Sequence, residues 1–303
     1  MGLPQGSPLS PVLFNVYTKS LADLNQNGPS KILTLADDGL IYKTSKDFQE
    51  AAEAVQQLDS VSKWCHDTGS LINPDKTQTL WCTLDNRAAG KPVPAVTLDG
   101  DVVERTSHLR YLLVHLDRML AYRKHVETTA PKCKKGLSVL KVMSVKGIEQ
   151  NHLFLLYQSM VLSVTDYGQG LTTMAQTTLL KLDRVQYEAV RVVLGTTRDT
   201  PIETMRSMLG LQTLQTRQKV EQVKPYLSAV ENPHNPLHEA VKDTKGCRLG
   251  RDKSWMSQTE DSILQVCQLT ELKQTKEWER YPNRFRHLCE TLLPGASKHR
   301  TSC

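Results

Sequence analysis

Two adjacent carboxylates, Asp37 and Asp38, are the residues of this 303-residue chain whose type and spacing best suit chemistry. They follow the apolar run Lys31–Leu35 and precede Gly39, and a second apolar run covers residues 40–44. Two apolar runs around an Asp-Asp-Gly segment predict a β-hairpin with the carboxylates at its tip. Carboxylate oxygens on a rigid turn are suitable ligands for a hard cation such as Mg²⁺. The alternative is a turn without any chemical role.

A second unusual segment, Gly2-Leu-Pro-Gln-Gly-Ser-Pro-Leu-Ser-Pro11, precedes the carboxylates in the chain. Its glycines would let the backbone approach a flat base or sugar without an intervening side chain. Gln5 offers a donor and an acceptor to a template strand or an incoming nucleotide. The alternative is an ordinary Gly/Pro turn before a helix, for which Ser10 as N-cap and Pro11 at the first helical position are typical.

Together the two segments resemble the palm of a reverse transcriptase, of the non-LTR retrotransposon type found in jockey-like mobile elements. The resemblance covers roughly residues 1–220 and includes Tyr17 and residues 73–77, 111–117 and 182–186. It implies an RNA-directed DNA polymerase that transfers nucleotides with two Mg²⁺ ions. The implied partners are an RNA template, a DNA primer and dNTPs, with no membrane and no further small-molecule cofactor.

The resemblance also implies roles for single residues. Asp37 would be the principal metal ligand and Asp38 a supporting one. Lys76 would lie near the leaving pyrophosphate, where a cation neutralises charge or donates a proton, although many turn lysines are simply solvated. The residues expected to contact the substrates are Pro4, Gln5, Gly6, Ser7, Leu35, Tyr111 and Leu113.

Two of these residues depart from the family pattern. Leu35 replaces an aromatic residue that packs near the primer terminus, so the apolar contact is kept and the ring is lost. Leu113 replaces the glycine of a Tyr-Leu-Gly-Val sequence in the predicted primer-grip hairpin, residues 111–117. Its side chain would obstruct a close approach of the backbone to the primer. Both departures fit a mobile-element copy that has lost its activity.

The palm of this family needs one more metal-binding aspartate, which we expect upstream of Met1. Two ligands from one hairpin do not hold two metal ions without a third, so the Mg²⁺ site is expected to be incomplete and the chain inactive in primer extension. An upstream exon that encodes this aspartate would restore the enzyme interpretation. The alternative from another functional class is a non-catalytic nucleic-acid-binding remnant of a mobile element.

Positive charge is concentrated after the predicted palm. The whole chain carries a net charge of +6, but residues 105–146 contain ten Lys or Arg against two acids, Asp117 and Glu127. A basic helical stretch suits contact with a phosphate backbone. The alternative is a solvated helix face. In the resembling family a helical thumb grips the duplex, so the predicted nucleic-acid-binding residues are Arg123, Lys124, Lys132, Lys134 and Lys135.

The order of elements predicts an α+β fold, in which a partial palm of antiparallel sheet and helices precedes an all-α region. The predicted domains are a palm over residues 1–118, a helical thumb or connection over 119–230, and a linker with a C-terminal tail over 231–303. Asp47 with Glu50 predicts a capping box, and Gly69 a helix end. The predicted helices are 11–26, 47–66, 121–145, 149–163, 176–194, 201–209, 213–230 and 257–279. The predicted strands are 31–35, 40–44, 70–73, 78–83, 95–98 and 109–116.

Several classes of protein are disfavoured. The seven cysteines include no CxxC pair and indicate reduced thiols of an intracellular protein. No apolar run reaches the length of a membrane span, and no targeting signal is present, so we expect the nucleus or the cytoplasm. The last ten residues are expected to be disordered. A zinc knuckle matches no established spacing, although its residue types occur at His287, Cys289, His299 and Cys303.

Overall fold

The computed structural model describes residues 4, 6–83, 92–235, 237–242 and 255–269. The chain divides into two compact units, Met1–Leu113 and Val114–Cys303, each with its own hydrophobic core. This boundary lies close to residue 118, where the sequence places the end of the palm, and the functional assignment of the units stays a prediction. Helices and small sheets together make the protein α+β.

The helices of unit 1 are shorter than predicted. Both long helices were wrong as single elements, because each breaks in its middle. The first ends at Thr18, whose hydroxyl donates to the Phe14 carbonyl at 3.0 Å. The second breaks at Gln57, a buried amide that donates to the Leu24 carbonyl and accepts from the Ser30 hydroxyl. The resulting helices are α1 Ser10–Tyr17, α2 Lys19–Asn27, α3 Phe48–Val55 and α4 Leu58–Thr68.

The ends of α3 and α4 are set by local side chains. The predicted capping box is wrong, since Asp47 makes no side-chain capping bond. Ser45 acts in its place: its hydroxyl donates to the Glu50 carboxylate at 2.5 Å and accepts from the Asp47 N–H at 3.1 Å. The predicted helix end at Gly69 is confirmed, because Gly69 adopts the left-handed backbone that closes α4.

The strands of unit 1 form separate pairs, so the predicted single antiparallel sheet is wrong. β1 and β2 pair antiparallel, β4 and β5 pair antiparallel, and β3 pairs with β6 in parallel. In the last pair Gln78 lies opposite Glu104, and residues 70–73 form no strand. The strands are β1 Lys31–Leu35, β2 Asp38–Tyr42, β3 Gln78–Leu80, β4 Thr97–Leu98, β5 Asp101–Val102, β6 Glu104–Thr106 and β7 His108–Tyr111.

The core of unit 1 is small and leaves α1 outside it. Leu58, Val96, Leu98 and Val103 form this core between α4 and the β4–β6 region. Helix α1 buries no residue and is held through Tyr17, whose hydroxyl donates to the Thr68 carbonyl at 2.6 Å. Its apolar side chains Leu9, Val12, Leu13 and Val16 remain at least half exposed.

Unit 2 is helical and agrees closely with the sequence pattern. The predicted helices 121–145, 176–194, 201–209 and 213–230 are confirmed, because their apolar residues repeat at the helical period. The predicted helix 149–163 is helical but not a single α-helix, since a π-helical stretch, Gln158–Leu162, divides it. The predicted helix 257–279 begins near the expected residue, and residues 270–279 lie outside the described residues. The elements are β8 Val114–Asp117, α5 Arg123–Val145, α6 Gln150–Tyr157, α7 Ser163–Asp166, α8 Gln176–Leu194, α9 Ile202–Met208, α10 Leu214–Glu231, α11 His238–Lys242 and α12 Trp255–Leu269.

Helices α5, α6, α8 and α9 enclose the largest core of unit 2. The sequence motif at 182–186 belongs to the buried side of α8, since Leu182, Val185 and Gln186 are each at most 4% exposed. Packing therefore accounts for this motif without any chemical role. No helix among the described residues is both long and apolar enough to span a membrane.

Candidate active site and nucleic-acid interface

The hairpin β1–β2 places both predicted metal ligands at an exposed tip, as the sequence predicted. Leu35 pairs with Asp38, so Ala36 and Asp37 are the two turn residues. The turn lies one position earlier than the Asp-Asp-Gly signal suggested, and Asp38 is the first residue of β2. Ala36 has a φ of 51°, which its small side chain tolerates better than a bulky one. Both carboxylates are exposed.

The two carboxylates suit a hard cation but supply only part of a ligand set. Oxygen ligands are what Mg²⁺ prefers, and Asp37 and Asp38 offer them from a turn that the flanking strands fix. Within the described ranges, no group of three or more His, Cys, Asp or Glu could hold a metal ion. A metal at this tip would therefore need further oxygens from a substrate, from water or from residues outside those ranges.

Tyr111, a predicted substrate-binding residue at the end of β7, lies near the carboxylate pair. Burial raises the pKa of the Tyr111 phenol, and the negative charge of Asp38 raises it further. The structure thus brings together two residues that the sequence assigned to separate motifs. The only cue available in the sequence was the family resemblance, since the two residues are far apart in the chain.

The backbone of the turn after Tyr111 explains why the family pattern has a glycine at the position of Leu113. Leu112 and Leu113 have φ values of 45° and 66°, the left-handed region that two-residue hairpin turns need at both central positions. A glycine adopts this backbone without the steric cost of a Cβ atom. The left-handed backbone at this position therefore favours glycine by itself, whether or not a primer approaches the turn. The Leu113 side chain is half exposed.

The N-terminal loop is held by its own hydrogen bonds. The Ser10 hydroxyl donates to the Pro4 carbonyl at 2.7 Å, and Leu9 occupies the N-cap position, so Ser10 as N-cap is wrong. Gly6 has a φ of 85°, and Ser7 is half-buried beside it. Gln5 lies outside the described residues. A role of this loop in substrate binding stays a prediction.

The other two candidates of unit 1 are solvent-facing. Lys76 ends a 3₁₀ turn, Pro74–Lys76, in which the Asn73 side chain accepts from the Lys76 N–H at 3.3 Å. No ion pair joins Lys76 to Asp37 or Asp38, all three of which the structure describes. Leu35 is 57% exposed at the end of β1, so its side chain is available to a ligand at the hairpin tip.

Helix α5 carries the predicted nucleic-acid-binding residues of unit 2. Asp117 fixes its start, because its two carboxylate oxygens accept from the backbone N–H groups of Ala121 and Arg123 at 2.8 and 3.0 Å. This is a capping role that the sequence motif did not reveal. The exposed cations of α5 are Arg123, Lys132, Lys134, Lys135 and Lys141, and Lys124 is half-buried.

Arg191 and Arg198 are two further cations of unit 2 that the sequence pattern did not single out. A cavity of about 380 Å³ is lined by Lys141, Glu188, Arg191 and Arg198. Lys141 pairs with Glu188 at 3.7 Å, which leaves an excess of positive charge in the cavity. Lys141 was part of the basic segment at 105–146, whereas Arg191 and Arg198 reach it only through the packing of α8 against α5.

Comparison with known proteins gives a consistent result. Residues 1–116 match the family model described as reverse transcriptase (RNA-dependent DNA polymerase). The chain is 33% identical over 147 residues to the probable RNA-directed DNA polymerase from transposon BS of Drosophila melanogaster, covering 46% of this chain and 16% of that protein. It is 34% identical over 131 residues to the RNA-directed DNA polymerase from mobile element jockey of Drosophila funebris, covering 41% and 14%.

A longer alignment extends into unit 2. The probable RNA-directed DNA polymerase from transposon X-element of Drosophila melanogaster is 26% identical over 200 residues, 64% of this chain and 22% of that protein. The alignments with these three relatives thus cover less than a quarter of each relative's length. No solved structure matches the chain significantly.

Proposed function

Residues 1–116 belong to the reverse transcriptase family, with relatives in jockey-like non-LTR mobile elements, and from this we propose that the chain is part of an RNA-directed DNA polymerase. Unit 1 would contribute the metal-binding turn at Asp37 and Asp38. Unit 2 would contribute a surface for an RNA template paired with a DNA primer. The dNTP substrates follow from the same proposal.

The observation that carries this proposal is the exposed hairpin tip, whose Asp38 carboxylate lies within electrostatic range of the Tyr111 phenol. Two carboxylates at a fixed turn offer hard oxygen ligands, and a neighbouring phenol offers a donor to a nucleotide or primer. Bound Mg²⁺ would supply stabilisation of the charge that develops during nucleotidyl transfer. The chain's own residues hold the ligand oxygens in place and present Leu35 and Tyr111 beside them.

The basic face of α5 supports the nucleic-acid part of the proposal. Its exposed lysines make no ion pair among the described residues, apart from Lys141 with Glu188. Unpaired surface cations gain most from a phosphate backbone, because each contact releases condensed counterions. The cations at Arg191 and Arg198 would extend this footprint from α5 to α8 and the turn that follows α8.

Binding of Mn²⁺, measured by electron paramagnetic resonance with and without an RNA–DNA template–primer and dNTP, tests the metal-binding turn. We expect binding that strengthens with the substrates, because these add oxygen ligands, and that weakens at least several-fold in Asp38→Asn. Asp101→Asn is a matched control, since Asp101 also begins a strand after a tight turn and is exposed. Equal Mn²⁺ binding by Asp38→Asn and Asp101→Asn would contradict the metal-binding turn.

A primer-extension assay distinguishes the polymerase hypothesis from a second candidate function, that of a non-catalytic nucleic-acid-binding protein. This candidate is favoured by the many cations of unit 2 and by the absence of a three-ligand metal group within the described ranges. We expect duplex binding without extension in Mg²⁺ or Mn²⁺, because two carboxylates do not hold two metal ions. Extension that is lost in Asp37→Asn would instead show a complete polymerase site.

A further inference from the structure

A second cavity of unit 2, of about 240 Å³, lies between the start of α8, the middle of α10 and α12. Its lining is unusually rich in glutamine. Gln218 and Gln222 form its buried floor, at 5% and 1% exposure, while Gln176 lies at its mouth and is exposed. The volume is somewhat below the range of about 300–1,000 Å³ of drug-sized pockets, so it suits a ligand the size of a single base or nucleoside.

The hydrogen bonds of the floor fix the orientation of both amides. The Nε2 atoms of Gln218 and Gln222 donate to the Thr172 carbonyl at 2.7 and 2.9 Å. Since a carbonyl oxygen only accepts, the amide nitrogens must point to Thr172. The Gln222 Nε2 also approaches Gln258 Oε1 at 3.5 Å, which uses its second N–H.

The floor therefore offers more acceptors than donors. The Oε1 atoms of Gln218 and Gln222 accept no hydrogen bond from any described residue. Neither atom is among the buried polar atoms that lack both a partner and solvent-accessible surface. Gln218 keeps at most one N–H for a ligand. Two free acceptors and one donor complement a ligand edge with two donors and one acceptor.

We propose that this cavity binds a guanine base. Of the four RNA bases, only guanine has a Watson–Crick edge with two donors, N1–H and the N2 amino group, beside one acceptor, O6. Uracil has the opposite pattern, one donor between two acceptors. Amide side chains read base edges in this way when a base is unstacked and turned out of its strand.

The remaining lining fits a nucleotide rather than a bare base. Met174 and Leu179 are buried apolar walls for the faces of the ring. Lys219 at the mouth gives the cavity a cation for a phosphate, and Asp261 gives it one negative charge as well. A neutral base suits the apolar walls, and its phosphate is expected to face Lys219 and to point away from Asp261.

The guanine has two possible sources, a free nucleotide or an unstacked guanosine in a single-stranded RNA. The proposal concerns a different site from the metal-binding turn. It rests on the proposed polymerase function in one respect, namely that the ligand is a nucleotide or a nucleic acid. The cavity lies within unit 2 and uses none of the residues that carry the metal-binding turn or the basic face of α5.

Titration of the full chain with GMP, AMP, CMP and UMP, followed by calorimetry, tests the base preference. We expect GMP to bind at least about tenfold more tightly than UMP, the discrimination that one good amide–base pair provides. Gln176→Trp should fill the mouth and abolish GMP binding. Its matched control is Gln150→Trp, because Gln150 is likewise the exposed first residue of a helix.

A fluorescent oligouridine RNA with or without one internal guanosine distinguishes the two sources. Tighter binding of the guanosine-containing strand that Gln176→Trp removes assigns the site to RNA, and GMP binding alone assigns it to the free nucleotide. Equal affinity for all four nucleotides and both strands, or GMP binding unchanged in Gln176→Trp, would overturn the proposal. Alanine at Lys132, Lys134 and Lys135 should leave GMP binding intact. Loss of duplex binding in this variant would therefore be distinguishable from loss of the guanine site.

Discussion

Leu112 and Leu113 join β7 to β8 with φ values of 45° and 66°, a region that costs an L-residue roughly 1–2 kcal/mol. Leu113 is half exposed, so little burial offsets this cost. The family pattern that the sequence resembles has glycine at the second of these positions, where the missing Cβ would remove the clash. The strain at Leu113 is therefore a property of this chain that a single substitution relieves.

Replacing Leu113 by glycine should raise the free energy of unfolding of the chain by about 0.5–1 kcal/mol. The relief of left-handed strain exceeds the entropy that a glycine adds to the unfolded chain. Urea unfolding followed by circular dichroism measures the change. Leu113→Ala is the control, because alanine keeps the Cβ atom and should give no gain. A gain of the same size in both variants would refute the role of backbone strain.

His125 is a second residue with unfavourable surroundings, because they disfavour its protonated form. It is 5% exposed near the start of α5, and the His115 N–H approaches its Nδ1 atom at 3.5 Å. Burial lowers the pKa of His125, and the neighbouring His115 lowers it further. The folded protein therefore favours the neutral imidazole.

Stability should consequently fall as the pH decreases below about 6.5, the usual pKa of histidine in an unfolded chain. Below that pH the unfolded chain binds a proton that the folded His125 resists, so the free energy of unfolding decreases. Above it this contribution is fully present. Urea midpoints at pH 7.5 and 5.5 measure the effect, and His125→Gln should reduce the difference. The exposed His66→Gln is the control, and an equal reduction in both variants would contradict the assignment.

At the scale of elements, α10 contains a proline that shapes its contact with the neighbouring turn. Pro225 has no N–H and leaves the carbonyl of Glu221 without its helical partner. Gly170, in the 3₁₀ turn Gln169–Leu171, lies against this carbonyl, and a Cβ atom at Gly170 would lie 2.4 Å from it. The Gly170 carbonyl also accepts from the Trp255 indole at 2.5 Å, so the same turn holds α12.

Gly170→Ala should therefore destabilise unit 2 by about 1–3 kcal/mol, the range of overpacking in a well-packed core. The clash is with backbone, which cannot rotate away as a side chain can. Gly39→Ala is the control, because a Cβ atom there would meet nothing within 4 Å. Thermal unfolding of both variants measures the difference. Equal melting temperatures would show that the Gly170 turn moves away freely.

At the scale of the whole chain, the metal-binding turn and the basic face of α5 belong to different units. The exposed carboxylates of the hairpin tip belong to unit 1, and the exposed cations of α5 belong to unit 2. The metal-binding turn and the basic face of α5 can therefore be altered by separate substitutions.

Alanine at Lys132, Lys134 and Lys135 should weaken RNA–DNA duplex binding and flatten its salt dependence. Counterion release gives a slope of log affinity against log salt of about −0.9 per phosphate neutralised on B-form DNA, and we expect a comparable slope here. Exposed lysines contribute little to folding, so stability should not change. Fluorescence anisotropy over a salt series measures the slope.

Alanine at Lys19, Lys46 and Lys63 is the matched control for this slope, because it removes the same charge from exposed positions of unit 1. An unchanged slope in the α5 variant, or an equal change in both, would leave α5 as an ordinary solvated face.

Features that depend on neighbours in the chain were predictable from the amino-acid sequence. The apolar runs around Asp37 and Asp38 predicted the hairpin, and the helical period predicted α5, α8 and α10, because turns and amphipathic helices follow local rules. The same rules failed where a distant group intervened, as at Gln57, whose amide bonds to Leu24 and Ser30 interrupt a regular apolar pattern.

Contacts between distant residues were not predictable from the sequence and depend on how the chain packs. The folded chain brings several such pairs together. It placed Asp38 near Tyr111, paired β3 with β6 in parallel, and turned the amides of Gln218 and Gln222 toward Thr172. None of these contacts has a periodic signature, because each joins segments separated by loops whose path the local pattern does not fix. A residue's type shows which bonds it can make, and the packing of the chain selects which of them form.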